Sequence, residues 1–310
     1  MKKNIFLGCA VLLFAFGCRK AAEEVAGNAV NTPSTAEQKA AAAAACAPGY
    51  YNLALDPSGK SVIYKVSGTP SLGPVIVTPI NGSAGNNIIG SATIPGGVLK
   101  MTGLSYDPTL GLFWGVTGTG GNFPNSLIKF YASDVNVVGI TPLTAACGIS
   151  LEVSDIERDF TTGQYYALNW AASPNSRVVK ITAPGGVVSC LPNVLGAGVQ
   201  PRGLTFGCNA QLYVMHMSGP NGKVLNVNKA TGLITATYTY PGVISPGAPA
   251  GSAPEMGLHM DCSCNGKFVT GSFSPAASLL HTDGLPAGLG GPVYASLAGT
   301  LKPTVDFARP

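Results

Sequence analysis

The 310-residue chain carries 18 Lys and Arg against 14 Asp and Glu, a formal charge of +4, and only 10% of its residues are charged. So thin and mixed a charge excludes the basic stripe of a nucleic-acid binder and the polybasic patch of a membrane-surface protein. With three histidines in the whole chain, and neither an H-E-x-x-H nor a G-x-S-x-G motif, the histidine-centred hydrolase classes have little to draw on.

In chain order, Lys2 and Lys3 precede the apolar run Ile5 to Phe16, which is too short to span a bilayer as a mature helix and has the layout of an export signal over residues 1–17. The run ends in "AFGC", with Ala15, Gly17 and Cys18, and resembles the lipobox of bacterial lipoproteins. The resemblance implies that Cys18 becomes the acylated first residue. It also implies anchoring to a bacterial membrane, expected to be the outer membrane, on its periplasmic or surface face. An ordinary signal peptide with a chance cysteine is the alternative. Loss of the signal removes two lysines and leaves 16 − 14 = +2, so attachment would rest on lipid rather than charge.

Residues 18–45 are poor in large apolar side chains and rich in Ala, Asn, Thr and Glu. They read as a flexible tether, with a short helix where Ser34 and Glu37 have capping-box spacing. Fully extended, the segment reaches about 90 Å.

From Cys46 onward, residues 46–310, the chain repeats. "GLSYDPTLGLFWGVTG" at Gly103, "DIERDFTTGQYYALNW" at Asp155, "GLTFGCNAQLYVMHM" at Gly203 and "GLHMDCSCNGKFVTGSF" at Gly257 follow one another at spacings of 52, 48 and 54 residues. Each reads as two strands around a polar turn. Third strands follow at "SLIKFY", "SRVVKI", "GKVLNV" and "ASLLHT", and fourth strands at "NVVGITPL", "GVVSCLP", "LITATYTY" and "PVYASL". Four short strands per repeat of about 50 residues predict an all-β fold, a β-propeller. "GKSVIYKVSG" near the start and "TVDFARP" at the end supply parts of one further repeat, so five blades closed by the N- and C-terminal strands are expected. Six follow if Pro79 to Lys100 or Pro241 to Met256 hides strands, and an open β-sandwich is the competing fold. The pattern resembles exported bacterial propeller repeat proteins, a class that includes families of unassigned function, so it implies an architecture and no activity.

Six cysteines, Cys46, Cys147, Cys190, Cys208, Cys262 and Cys264, remain after Cys9 and Cys18, and an even number in an exported chain reads as disulfides. By chain order, Cys147 with Cys190 and Cys208 with Cys262 or Cys264 are the natural pairs, which leaves Cys46 for the remaining cysteine.

Repeat alignment puts Ser105, Glu157, Thr205, His259 and Asp306 in one polar column of the first strand, and Thr117, Asn169, His216 and Ser272 in a column of the second. Such columns either satisfy backbone groups and water, or gather ligands near the channel. On the second view Glu157, His259, Asp306, Asn169 and His216 are candidates for a polar ligand or a divalent cation such as calcium. Trp170 is a candidate carbohydrate contact. Glu157 and Asp159 flank Arg158 in what reads as a local ion-pair cluster. The leading functional expectation is a membrane-anchored extracytoplasmic module that binds a protein or carbohydrate. A metal-dependent hydrolase or lyase is the first alternative, and a copper-type soft-metal binder using Met215, His216 and Met217 is the second, although strand alternation sets His216 opposite both methionines.

Overall fold

The computed structural model describes residues 49–56, 58–67, 76–80, 88–94, 98–170, 175–218, 221–240, 256–260, 267–274, 277–284, 293–297 and 304–309. The expected signal, Cys18, the tether, Cys46, Cys262 and Cys264 lie outside them.

Every regular element among the described residues is a strand. In chain order these are β1 (Tyr50–Leu55), β2 (Ser61–Ser67) and β3 (Ile76–Pro79); β4 (Met101–Asp107), β5 (Leu112–Thr117), β6 (Ser126–Tyr131) and β7 (Val137–Pro142). The chain continues through β8 (Thr144–Ala145), β9 (Val153–Arg158), β10 (Tyr165–Asn169), β11 (Arg177–Thr182) and β12 (Val187–Cys190), then β13 (Pro201–Phe206), β14 (Leu212–Ser218), β15 (Asn221–Val227) and β16 (Ile234–Tyr240). It ends with β17 (Met256–Met260), β18 (Lys267–Ser274), β19 (Ala277–Gly284), β20 (Val293–Leu297) and β21 (Thr304–Ala308). These sort into five sheets: β21-β1-β2-β3, β4 to β7, β8-β12-β11-β10-β9, β13 to β16, and β17 to β20. The first strands touch in a closed cycle, β21 to β4 to β9 to β13 to β17 and back to β21. This is a propeller arrangement.

Local chemistry explains the hairpins. Aromatic and β-branched residues fill the strands, and a short polar side chain reverses the chain at the first turn. The Thr109 N–H donates to Asp107 Oδ1 at 3.0 Å, the Thr161 N–H to Asp159 Oδ1 at 2.9 Å, and the Gln211 N–H to Asn209 Oδ1 at 3.3 Å.

The core is divided by layer, which separates this fold from an open sandwich with one core. Leu53 and Ile63 pack with Leu104, Phe113 and Phe130 between the first and second sheets. Trp114, Val116 and Leu127 pack with Ile156, Tyr165 and Ala167 between the second and third. Tyr166 and Leu168 meet Leu204, Phe206 and Val214, and Tyr213, Met215 and Val224 meet Leu258, Met260 and Phe268. A fifth cluster holds Tyr50, Ala54, Tyr64 and Phe307 on the other face of the composite sheet. Strand alternation sends Phe113 and Trp114, or Tyr165 and Tyr166, to opposite layers. Each such buried side chain contributes about 1.5–3 kcal/mol.

Three expectations need correction. The composite sheet takes its second strand from "YYNLAL", so the N-terminal segment supplies three strands and the C-terminal segment one. The third sheet has an extra strand, because β8 runs parallel to β12. In the stretch from Pro79 to Lys100, the described residues hold a single bridge, Ile88 with Val62, rather than the strands of a further sheet; residues 241–255 lie outside the described set.

The third correction concerns register. A Cβ built on Gly103 would lie 2.5 Å from the Asp155 Cα, and one built on Gly257 would lie 2.8 Å from the Asp306 Cα. Hence Asp306 stands level with Gly257, Asp155 and Gly103, two residues away from the column of Ser105, Glu157, Thr205 and His259. "TVDFARP" has aspartate where three repeats have glycine, and matching it on its polar residue placed it wrongly.

A disulfide joins Cys147 to Cys190 across 43 residues, as chain order suggests. It fastens the segment after β8 to the end of β12. Cys208 is also disulfide-bonded.

Candidate functional site

Two polar regions are built where the first strands converge. The first lies on the axis. Where Gly103 approaches β9 and Gly203 approaches Gly257 at 2.5 Å for a hypothetical Cβ, only glycine fits, because the backbone of the next strand fills the space; the carboxyls of Asp155 and Asp306 stand at the same level. The Leu204 N–H donates to Asp155 Oδ2 at 2.5 Å, and the Ile156 N–H to Oδ1 at 2.6 Å. The Leu104 N–H donates to Asp306 Oδ2 at 2.7 Å. Each carboxyl thus satisfies a backbone donor on the exposed edge of the next first strand.

Asp306 Oδ1 is buried without a hydrogen-bond partner. Burial, with the neighbouring carboxyl, raises Asp155 well above the usual carboxylate range. Burial does the same to Asp306, and the pair titrates as a unit.

Glu157 and His259 flank this pair. Burial raises the Glu157 carboxyl well above its ordinary range, although the Arg309 guanidinium pulls it down. Burial, assisted by Arg309, lowers His259 to about 3. Its ring lies 5.1 Å from that of Tyr50. Arg309 itself crosses to the far side, donating to the Phe206 carbonyl at 2.7 Å, with its guanidinium 4.9 Å from the Phe160 ring.

The axis is therefore populated by carboxyls and an imidazole that favour their neutral forms, with most of the Asp155 and Asp306 oxygens engaged by backbone N–H groups. Among the described residues no group of three or more His, Cys, Asp or Glu is placed to hold a metal ion. The expected convergence of Glu157, His259 and Asp306 on a cation is not what the described geometry provides, because Asp306 Oδ2 is occupied with a strand edge.

The second-strand column has a different task. Asn169 Oδ1 accepts from the Glu152 N–H at 2.9 Å, and its amide donates to the Ser150 carbonyl at 3.1 Å. In the next sheet His216 Nδ1 accepts from the Gln200 N–H at 2.9 Å. Thr117 Oγ accepts from the Ser126 N–H at 2.8 Å. Asn169 and His216 are equivalent clamps on the segment entering the first strand of their own sheet. The Ser272 and Met217 side chains lie outside the described set. Burial lowers the His216 pKa, keeping Nδ1 free to accept. The expected local ion pair at Arg158 is also replaced: Arg158 reaches Asp107 of the second sheet at 3.5 Å, while Lys229 of the fourth binds Asp159 at 2.6 Å.

The second region is the mouth above these clamps, a pocket of about 230 Å³. Lys100 and Thr102 enter from the second sheet, Glu152 and Ser154 from the third, and Arg202 from the fourth; Trp170 follows β10, and the Gly118–Gly120 loop closes one side. The Trp170 N–H donates to the Glu152 carbonyl at 2.7 Å, which fixes the indole beside the entering strand. Arg202 stacks on that indole, 4.4 Å from the ring centroid. The stem of Lys100 lies 3.3 Å from where a Cβ at Gly120 would stand. Two polar atoms here, Ser154 Oγ and Arg202 Nε, are buried without a hydrogen-bond partner. Of the predicted candidates only Trp170 lines this pocket. Lys100, Glu152, Ser154 and Arg202 had no signal in the sequence beyond their equivalent places just before or within first strands.

No family model and no curated protein matches the sequence. Among solved structures, the chain is similar to TolB from Acinetobacter baumannii at 14% identity and a TM-score of 0.44, covering 84% of this chain and 55% of that one, so it spans about half of TolB. It is similar to a putative 6-phosphogluconolactonase from Bacteroides uniformis at 11% identity and 0.44, covering 83% and 84% of the two chains. A functionally unknown protein from Desulfotomaculum acetoxidans matches at 11% and 0.43, covering 84% and 89%.

Proposed function

We propose that the protein is a lipid-anchored, extracytoplasmic binding module: a five-bladed propeller held to a bacterial membrane, expected to be the outer membrane, through Cys18, which takes a ligand at its mouth. The observation that carries the binding reading is the pair of buried, unmatched polar atoms, Ser154 Oγ and Arg202 Nε, facing a pocket beside a half-buried tryptophan. A buried polar group without a partner costs about 1–3 kcal/mol, and a ligand that supplies the missing partners recovers that cost. On the axis, by contrast, three of the four Asp155 and Asp306 oxygens accept from backbone N–H groups of the ring, so binding at the mouth is the reading that this geometry favours.

Two measurements test the proposal. Cys18→Ala should move the protein from the membrane to the soluble fraction and remove lipid from its N-terminal peptide; unchanged fractionation refutes the anchor. A thermal-shift screen of polar metabolites and glycans, run on the wild type and on Trp170→Ala, should yield compounds that stabilise only the wild type. A screen in which nothing distinguishes the two refutes the binding site.

A further inference from the structure

Charge at the mouth is specific as well as polar. Lys100 and Arg202 contribute two positive charges and Glu152 one negative charge, so the lining is matched to a single negative charge. Arg202 lines the pocket with its guanidinium over the indole, and its buried Nε has no partner in the protein. A planar fork of N–H donors matches the two oxygens of a carboxylate.

The remaining chemistry describes the rest of the guest. Glu152 accepts hydrogen bonds, and Ser154 Oγ, unpartnered, can donate and accept. Both suit hydroxyl groups, and Glu152 opposes a doubly charged phosphate. Trp170, Val153 and Pro201 give the same pocket an apolar wall, and at about 230 Å³ it lies below the usual 300–1,000 Å³ of drug-sized sites.

We infer that the mouth binds a small hydroxylated monocarboxylate, with its carboxylate on Arg202, aided by Lys100, and its hydroxyls on Glu152 and Ser154. The inference rests on the reading of the mouth as a binding site and specifies the ligand for it. Arg202 and Trp170 belong together in this scheme: the indole holds the guanidinium in place at 4.4 Å, and the guanidinium supplies the charge.

The chain has two tryptophans, and Trp114 is 5% exposed in an inter-sheet core, so a ligand-induced change in emission reports Trp170. The probes are glucuronate, its neutral counterpart glucose, and inorganic phosphate, titrated into the detergent-solubilised full chain. Glucuronate should give a saturable change, and glucose and phosphate should bind at least about tenfold more weakly. Arg202→Gln should weaken glucuronate by about 10- to 100-fold, the loss of one charge-assisted hydrogen bond. Arg202→Lys should fall between, and circular dichroism should show both variants folded. The signal should vanish in Trp170→Phe.

Equal affinity for glucose, equal affinity for phosphate, an unaffected Arg202→Gln, or no saturable response to glucuronate each overturns the carboxylate assignment. Glucose binding that requires Trp170 leaves the mouth a binding site while removing the carboxylate. Failure of the metabolite screen together with all three probes removes both.

Discussion

The axis and the mouth are made from the same first strands, a few residues apart, yet they use polar groups differently. On the axis, Asp155 and Asp306 are 1% and 0% exposed, and three of their four oxygens accept from backbone N–H groups, with Asp306 Oδ1 left unmatched. At the mouth, Lys100 is exposed, Glu152, Ser154 and Arg202 are half-buried, and Ser154 Oγ and Arg202 Nε are left unmatched. What separates the two is the adjoining cavity, which the mouth residues line and neither aspartate does. A strongly shifted buried carboxyl is therefore no signpost to a function in this molecule.

The largest expected effect breaks the axis. Gly103→Val has no room, since even a Cβ would lie 2.5 Å from the Asp155 Cα; about 4 kcal/mol or more should be lost in urea unfolding, with no folded ring recovered in the limit. Gly59→Val, at a turn with nothing near its hypothetical Cβ, should cost far less even though its φ is positive. Similar losses would show that the ring does not depend on close approach.

Next comes acid. His259 is lowered to about 3 from 6.5, so its contribution is complete above pH 6.5 and is lost as pH falls towards 3, at about 1.4 kcal/mol per unit. Asp155, Asp306 and Glu157 are raised, so they work in the opposite direction: what they contribute is complete below their ordinary value near 4 and is lost as pH rises through their raised values. The slope of unfolding free energy against pH, measured between pH 3 and 6.5, should therefore be less positive in His259→Gln than in the wild type, by up to about 1.4 kcal/mol per unit. An unchanged slope would place an ionised imidazole on the axis and contradict its dryness.

Cutting the Cys147–Cys190 bridge should cost about 4 kcal/mol through the entropy of its 43-residue loop. Cys190→Ser and reduction of the wild type should agree, provided that the Cys208 bridge is held constant in both. Asn169→Ala should cost about 1–3 kcal/mol, because Glu152 N–H and the Ser150 carbonyl lose their partner. It should also disturb the mouth through Glu152 and Trp170. The smallest stability effect, within about 0.5 kcal/mol, is expected for Arg202→Gln, although it should change ligand binding most. A large loss of stability there would turn the mouth into another piece of scaffold.

The repeat was legible because every layer needs alternating aromatic and aliphatic residues, and that requirement writes period-two runs between turns. It gave correct third and fourth strands in four sheets. The axis was only half legible. Gly103, Asp155, Gly203, Gly257 and Asp306 are one level, but glycine and aspartate share no hydropathy, and the rule that governs the level, glycine where a neighbour's backbone comes close, is visible only when five strands are brought together. The mouth was almost silent. Lys100, Glu152 and Arg202 come from three sheets and stand about 50 residues apart, where single charged residues look like ordinary solvated surface.

The pairing of β21 with β1 joins Thr304–Ala308 to Tyr50–Leu55, and it has a temporal side. During synthesis, the inner edge of β1 has no neighbour until Thr304–Ala308 emerges, and the gap between the β21-β1-β2-β3 sheet and the β17 to β20 sheet stays open until then. So long a sequence separation makes closure slow, and an unpaired strand edge invites wrong partners. Yet it also makes assembly conditional on a chain that reaches residue 308, since a copy truncated before Thr304 lacks both the strand that seals the ring and the Asp306 carboxyl at its centre.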